Sequence, residues 1–265
     1  MRKDFDQVTV TARGKVAVVT MNRPELLNAA SEGMAKGLRA AFQYVEKSGE
    51  FRAAVLTGEG RGFCAGVNLA DQTGDPEKGP LDTGYLLENA FHPLMRALRD
   101  LELPLITAVN GAAAGVGMSI ALMGDLVVAA RSAYFLQAFA RIGLVPDGGS
   151  TWLLPRLIGL ARARELSLLA EKLPAETALA WGLINRVCDD ADLMKEAITL
   201  AERLAAGPTR ALVATRQLYW ASPHNSMEQQ LDLECRHQRA AGHSEDFAEG
   251  VAAFFAKRPA VFKGR

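Results

Sequence analysis

Cysteine is scarce in this chain: three in 265 residues, Cys64, Cys188 and Cys235, far apart and never in a C-x-x-C pair. That excludes a disulfide framework and the usual zinc spacing. The four histidines, His92, His224, His237 and His243, form no H-E-x-x-H, and no G-x-S-x-G is present, so neither a zinc hydrolase nor a serine nucleophile elbow is encoded. No metal is expected. An excess of charge is missing too. Thirty Lys and Arg balance thirty Asp and Glu, which removes the electrostatic footprint of a protein that binds nucleic acid or an anionic membrane. No apolar run approaches the ~18 residues that suggest a membrane span, and no apolar segment follows the basic start MRKDFDQVTV, so a cytoplasmic location is expected.

What is present is an ordinary globular composition, 49% hydrophobic and 23% charged, long enough for one large domain with a smaller appendage. VTVTA and KVAVVTM, joined at Arg13-Gly14, read as a two-stranded hairpin. Ser31 is placed to cap a helix reaching about Lys47, and FRAAVLTG reads as a buried strand. Glycines and two prolines then crowd residues 58–84, a long irregular segment of the kind that compact domains keep for binding. A helix is predicted from about Tyr85 to Leu101, then the strand PLITAVN, a glycine turn, a helix, and the strand LVVAA. Strand, turn, helix and strand in repeated order imply parallel pairing with right-handed crossovers, hence an α/β core. Helical periodicity dominates beyond Pro155 except near INRVC. The expected division is a core over 1–206 and a helical segment over 207–265, which begins near Gly207-Pro208.

Two glycine-rich turns, GFCAGVNL and NGAAAGVGMSIAL, each follow a strand. There, small residues let backbone N–H groups turn toward a ligand. The second also opens a helix, whose first amides favour negative charge. Facing one another, the two would form an oxyanion hole; separately, each also suits close packing of helix on sheet. The spacing G-x-x-x-G-x-G is not the dinucleotide fingerprint, and no G-K-[ST] phosphate loop occurs.

Taken together, NRPELLNA, GRGFCAGVNL, AVNGAAAGVGMSIAL and GLVPDGGSTWLLPR resemble the enoyl-CoA hydratase/isomerase, or crotonase, family, and the resemblance extends to the C-terminal FFAKRPAVFKGR. It implies a spiral of repeated ββα units followed by helices that assemble a trimer or a dimer of trimers. The implied substrate is an acyl-CoA thioester, with no cofactor beyond the coenzyme A it carries. By the same resemblance the backbone N–H groups of Val67 and Val116 hold the thioester oxygen. Coenzyme A is implied to lie against Leu27, Asn28 and Ala29, against the backbone of Ala65 and Gly66, and against Phe254 and Lys257 from a neighbouring subunit. Two positions depart from the family pattern: Glu25 stands where many members carry a basic residue, and Asn68 where an aspartate is common.

Hydration of a double bond is served by two positioned carboxylates. At the positions where family hydratases carry them, this chain has Ser119 and Phe139. What remains is Asp147, among apolar and small neighbours. One carboxylate suffices to lift a proton from one carbon and return it to another of the same conjugated system, so acyl-CoA isomerisation is the expected activity. Hydration and a catalytically silent acyl-CoA-binding subunit are the alternatives. Asp147 has a second reading as well: an aspartate before Gly-Gly-Ser-Thr is a good helix N-cap.

Overall fold

The computed structural model describes residues 1–68 and 82–265. Seven strands form the main sheet in the order β1-β2-β3-β4-β6-β8-β11. The hairpin of β2 (Val8–Arg13) and β3 (Val16–Met21) is present as predicted, and β1 (Arg2–Phe5), which the sequence did not signal, pairs antiparallel with β2 at the edge. Its charged, exposed residues carry no hydrophobic alternation; the edge of β2 recruits it through backbone hydrogen bonds. From β3 onward the sheet is parallel through β4 (Ala53–Gly58), β6 (Leu105–Val109), β8 (Leu126–Ala130) and β11 (Arg186–Cys188). Every residue of β4 and β6 is buried, the condition that a parallel sheet covered on both faces imposes.

A second sheet of four short strands, in the order β10-β9-β7-β5 with β10 at Leu173–Pro174, stands at the ends of these long ones. After β4 comes β5 (Gly62–Cys64), after β6 comes β7 (Ala112–Ala114), and after β8 comes β9 (Tyr134–Leu136). The repeat is therefore long strand, short strand, helix, the ββα unit of the expected spiral. Three-residue strands such as Ala112–Ala114 have no period of their own to read, so the sequence shows them as parts of glycine turns. They exist because parallel neighbours supply their hydrogen bonds: β5 pairs β7, and β7 pairs β9.

Helix α1 (Glu32–Ser48) buries Met34, Leu38, Ala41, Phe42 and Val45, one stripe at helical spacing. The Ser31 hydroxyl caps it by accepting the Met34 N–H at 3.0 Å. The predicted helix at 85–101 starts earlier, because the Asp82 carboxylate accepts the N–H groups of Gly84 and Tyr85. It runs as α2 (Thr83–Leu86), a π turn at Leu87–Phe91 and α3 (His92–Arg99). Next come α4 (Val116–Ala121), α5 (Ser150–Leu169), which bends at Gly159 where φ is +76°, α6 (Ala175–Ala180) and α7 (Leu193–Ala205). Much of the irregular segment singled out in the sequence lies outside the described residues.

The C-terminal helices are α8 (Thr209–Ala221), α9 (Met227–Gly242) and α10 (Glu245–Phe255). One buried side chain pins them to the spiral. The Arg216 guanidinium, 5% exposed, pairs with Asp125 at 2.6 Å and donates to the carbonyls of Leu98, Arg99 and Leu101 at the end of α3. Asp125 in turn accepts the Leu105 N–H at the head of β6 at 2.7 Å. Deleting one partner of such a pair strands a buried charge and several carbonyls. Arg216→Ala is expected to lower the unfolding free energy by about 3–5 kcal/mol, read from the denaturant midpoint.

Candidate active site

The two glycine turns end adjacent strands of the small sheet, β5 and β7. Gly66 (φ +99°) and Gly115 (φ +52°) both occupy backbone conformations that L side chains rarely adopt. A Cβ on Gly66 would stand 3.1 Å from the Ala114 carbonyl oxygen, and one on Gly115 would stand 3.8 Å from the Cα of Gly66 and 3.6 Å from Cζ of the Phe139 ring. The two main chains lie against each other here, and the tighter of the two contacts is the one that glycine at 66 permits.

Val67 and Val116 follow these glycines. Ala30 pairs with Val67 as in a parallel ladder: the Ala30 N–H donates to Gly66 O at 2.7 Å and the Asn68 N–H donates to Ala30 O at 3.0 Å. That pattern turns the Val67 N–H away from Ala30. Val116 is the first residue of α4, so its N–H has no acceptor within the helix. The structure thus brings both expected donors to one place, although the strands that carry them are the short β5 and β7 rather than the long strands suggested by the sequence.

Asp147 stands beside them. Its neighbour Gly148 (φ +58°) packs so closely that a Cβ there would meet Ser119 Cβ at 2.8 Å and Val116 Cγ2 at 3.3 Å. The cap reading does not hold: α5 begins at Ser150 behind Gly149, and no side chain caps it. Gly148 and Gly149 are both at positive φ, so it is the Asp147 carbonyl, not its carboxylate, that meets the helix start. That carbonyl accepts from Ser150 N–H at 3.0 Å, Ser150 Oγ at 2.9 Å and Ser119 Oγ at 3.0 Å. The carboxylate is left over. Its Oδ1 is buried with no hydrogen-bond partner, and burial pushes the acid up to about 6, with desolvation as the only cause.

Ser119 is fully buried and Phe139 nearly so. The Phe139 ring closes the space over Gly115, and neither residue is a carboxylate. Of the other aromatics near this region of the chain, Phe91 is a core residue and Tyr85 is exposed. Sequence reasoning passed over Gln137, buried just before the 3-10 turn that carries Phe139, with its Oε1 unpartnered. Only its place between β9 and a buried turn marks it.

The bend at residues 27–29 is unusual in a different way. Leu27 and Asn28 both have left-handed backbone, φ +50° and +55°, without being glycine, a conformation that persists only when its surroundings enforce it. The Asn28 side chain does so. Its Oδ1 accepts the Arg23 N–H at 2.8 Å, and its Nδ2 donates to Glu59 O at 2.9 Å and Gly62 O at 2.7 Å. Ala65 N–H then donates to Leu27 O at 3.1 Å, which joins Leu27, Asn28 and Ala29 to Ala65 and Gly66 as one wall. Glu25 is exposed and 3.8 Å from Arg23. Phe254 and Lys257 are found elsewhere in the single chain, at the end of α10, where Phe254 faces a cavity of about 1170 Å³ bordered by α8, α9 and α10. Among the described residues no cluster of three or more His, Cys, Asp or Glu could hold a metal ion, and no helix is long and apolar enough to cross a membrane.

The sequence profile of the enoyl-CoA hydratase/isomerase family matches residues 11–265. A 1,2-epoxyphenylacetyl-CoA isomerase from Escherichia coli (strain K12) is 47% identical over 250 residues, 94% of this chain and 95% of that protein. A probable enoyl-CoA hydratase from Rhodobacter capsulatus is 46% identical over the same shares. Among solved structures, an enoyl-CoA hydratase from Polaromonas sp. JS666 superposes with a TM-score of 0.91 at 34% identity, covering 97% of this chain and 99% of that one. With this fold and these matches, the chain belongs to the enoyl-CoA hydratase/isomerase (crotonase) family, whose enzymes act on coenzyme A thioesters.

Proposed function

We propose that the protein isomerises an acyl-CoA thioester by moving one proton with Asp147, with 2-(1,2-epoxy-1,2-dihydrophenyl)acetyl-CoA as the substrate, in phenylacetate breakdown in the cytoplasm. The observation that carries this reading is the Asp147 carboxylate itself, half-buried beside the second glycine turn, with its Oδ1 enclosed and unpartnered and its acidity weakened by burial to about 6. A carboxylate so placed is a stronger base than an ordinary aspartate and still ionised at neutral pH.

The steps follow from the groups present. Asp147 removes a proton from the carbon next to the thioester, and the electron pair moves onto the thioester oxygen, which the Val67 and Val116 N–H groups receive. Each such donor contributes about 3–4 kcal/mol in related sites. Asp147, now an acid, returns the proton to a more distant carbon as the electrons flow back. Applied to a 3,4-unsaturated chain, this yields the 2,3-isomer. Applied to the ring epoxide, it accompanies conversion of the arene oxide into the seven-membered oxepin thioester, with no change in mass. No cofactor is needed beyond the coenzyme A of the substrate. The wall of Leu27, Asn28, Ala29, Ala65 and Gly66 would hold the coenzyme by its backbone, since the Asn28 side chain is already committed. Phe254 and Lys257 would reach it from a neighbouring copy. Phe254 and Phe255, 79% and 78% exposed on α10, support a homotrimer or a dimer of trimers.

Hydration is the competing reading, favoured by the name of the R. capsulatus relative. It needs a second acid. Ser119 spends its hydroxyl on the Asp147 carbonyl and Phe139 is a hydrocarbon ring, so the residues at those two positions supply none.

Purified protein assayed against a panel of aryl- and alkenyl-CoA thioesters is expected to give products of unchanged mass with shifted double bonds; a gain of water as the main product would overturn the proposal. Asp147→Asn is expected to lower the isomerisation rate by about 10²–10⁴-fold while acyl-CoA affinity, measured by calorimetry, changes little. Because the base must be ionised, kcat/KM should fall as pH drops through about 6 and level off above it, and this acid limb should be absent from the residual activity of Asp147→Asn.

A further inference from the structure

Ser119 is more than the absence of a glutamate. A buried serine in a helix commonly returns its hydroxyl to the carbonyl four residues back, yet Ser119 Oγ crosses to Asp147 O, 28 residues away, at 3.0 Å. That carbonyl is already satisfied, since the N–H and hydroxyl of Ser150 both reach it. Ser150 ties the peptide to its own helix, α5. Among the described residues, Ser119 makes the one side-chain hydrogen bond from α4 to this turn. It stands one helical turn beyond Val116, and the contact is tightened by Gly148, which has no room for a Cβ against either residue.

We propose that Ser119 is the positioning residue of the proton transfer: by fastening the Asp147 peptide to the helix that begins at Val116, it sets where the carboxylate stands relative to the thioester oxygen. The base and one of the two oxyanion donors then belong to a single rigid unit, and a shift of either carries the other with it. This inference rests on Asp147 being the base and Val116 an oxyanion donor. No charged side chain contributes to the weakened acidity of Asp147, whose cause is burial, so the protonation behaviour of Asp147 reports how well the turn is held. Released from Ser119, the carboxylate reaches water and its basicity falls.

Three variants test this on the full chain: Ser119→Ala, Ser119→Cys, which keeps the size and a weak donor, and Asp147→Asn as the control. Ser119→Ala is expected to lower kcat about 10–100-fold, the scale of a misplacement near 1 Å, with KM within about twofold and the acid limb of the pH profile moved to lower pH; Ser119→Cys should fall between it and the parent. If Asp147→Asn is inactive but a folded Ser119→Ala keeps kcat within about twofold, or loses rate with the acid limb unmoved, or if a folded Ser119→Cys is slower than Ser119→Ala, the positioning role is overturned and Asp147 stands as the base. Full activity in Asp147→Asn overturns the functional reading itself, and this inference with it.

Discussion

Two main chains meet at Gly66 and Gly115, where a Cβ on Gly66 would press on the Ala114 carbonyl at 3.1 Å, and the rest of the site follows from that approach. Both residues sit at positive φ, where glycine is tolerated at little cost. Strands β5 and β7 hold them side by side as parallel neighbours, with the register shifting between Gly62 and Cys64. The following residues, Val67 and Val116, then have N–H groups with no hydrogen-bond acceptor among the described residues. In the proposed mechanism these two groups receive the thioester oxygen, and a backbone donor needs no particular side chain, so valine at both positions is compatible with that role. The valine side chains shape the walls instead, with Val116 packed against the glycine that follows Asp147.

The second requirement is an acid that the fold leaves unsatisfied. Native proteins pair nearly all buried polar atoms, and this chain pairs most of its own, from Asn28 with three hydrogen bonds to the Asp147 carbonyl with three. Among the described residues the exceptions are Asp147 Oδ1 and Gln137 Oε1. An unpaired buried acid disfavours its charged form, so folding is opposed by the same desolvation that makes the group basic. In the sign that matters, the folded state holds its proton up to about pH 6, while an unfolded aspartate loses it near 3.8. Stability therefore declines as pH rises between these values, and above them the penalty is fully present.

Much of the scaffold was legible in the sequence because its signals are local. The valine alternation of β2, the buried run of β4 and the Ser31 cap with the Met34–Val45 stripe of α1 all appear where periodicity and capping place them. The short strands were not legible: Ala112–Ala114 has neither alternation nor β-branched residues, and only pairing with β5 and β9 makes it a strand. The alternative reading of Asp147 as a helix cap failed for a related reason. Local spacing counts residues from the helix start, whereas two successive positive-φ glycines reverse which part of the aspartate faces it. Ser119 could be seen in the sequence to lack a carboxylate; its bond to a residue 28 positions on is a tertiary fact that no window contains. Family resemblance supplied the pairing of the turns, and the left-handed Leu27-Asn28 bend became visible only in the backbone.

The contact between Ser119 and Gly148 also bears on how such a chain can change. Any Cβ at 148 meets Ser119 Cβ at 2.8 Å while occupying a backbone conformation suited to glycine. Position 148 is therefore closed to side chains for as long as α4 and the Asp147 turn keep this spacing, and a substitution there is expected to be felt at Ser119 as well, a coupled rather than an additive pair.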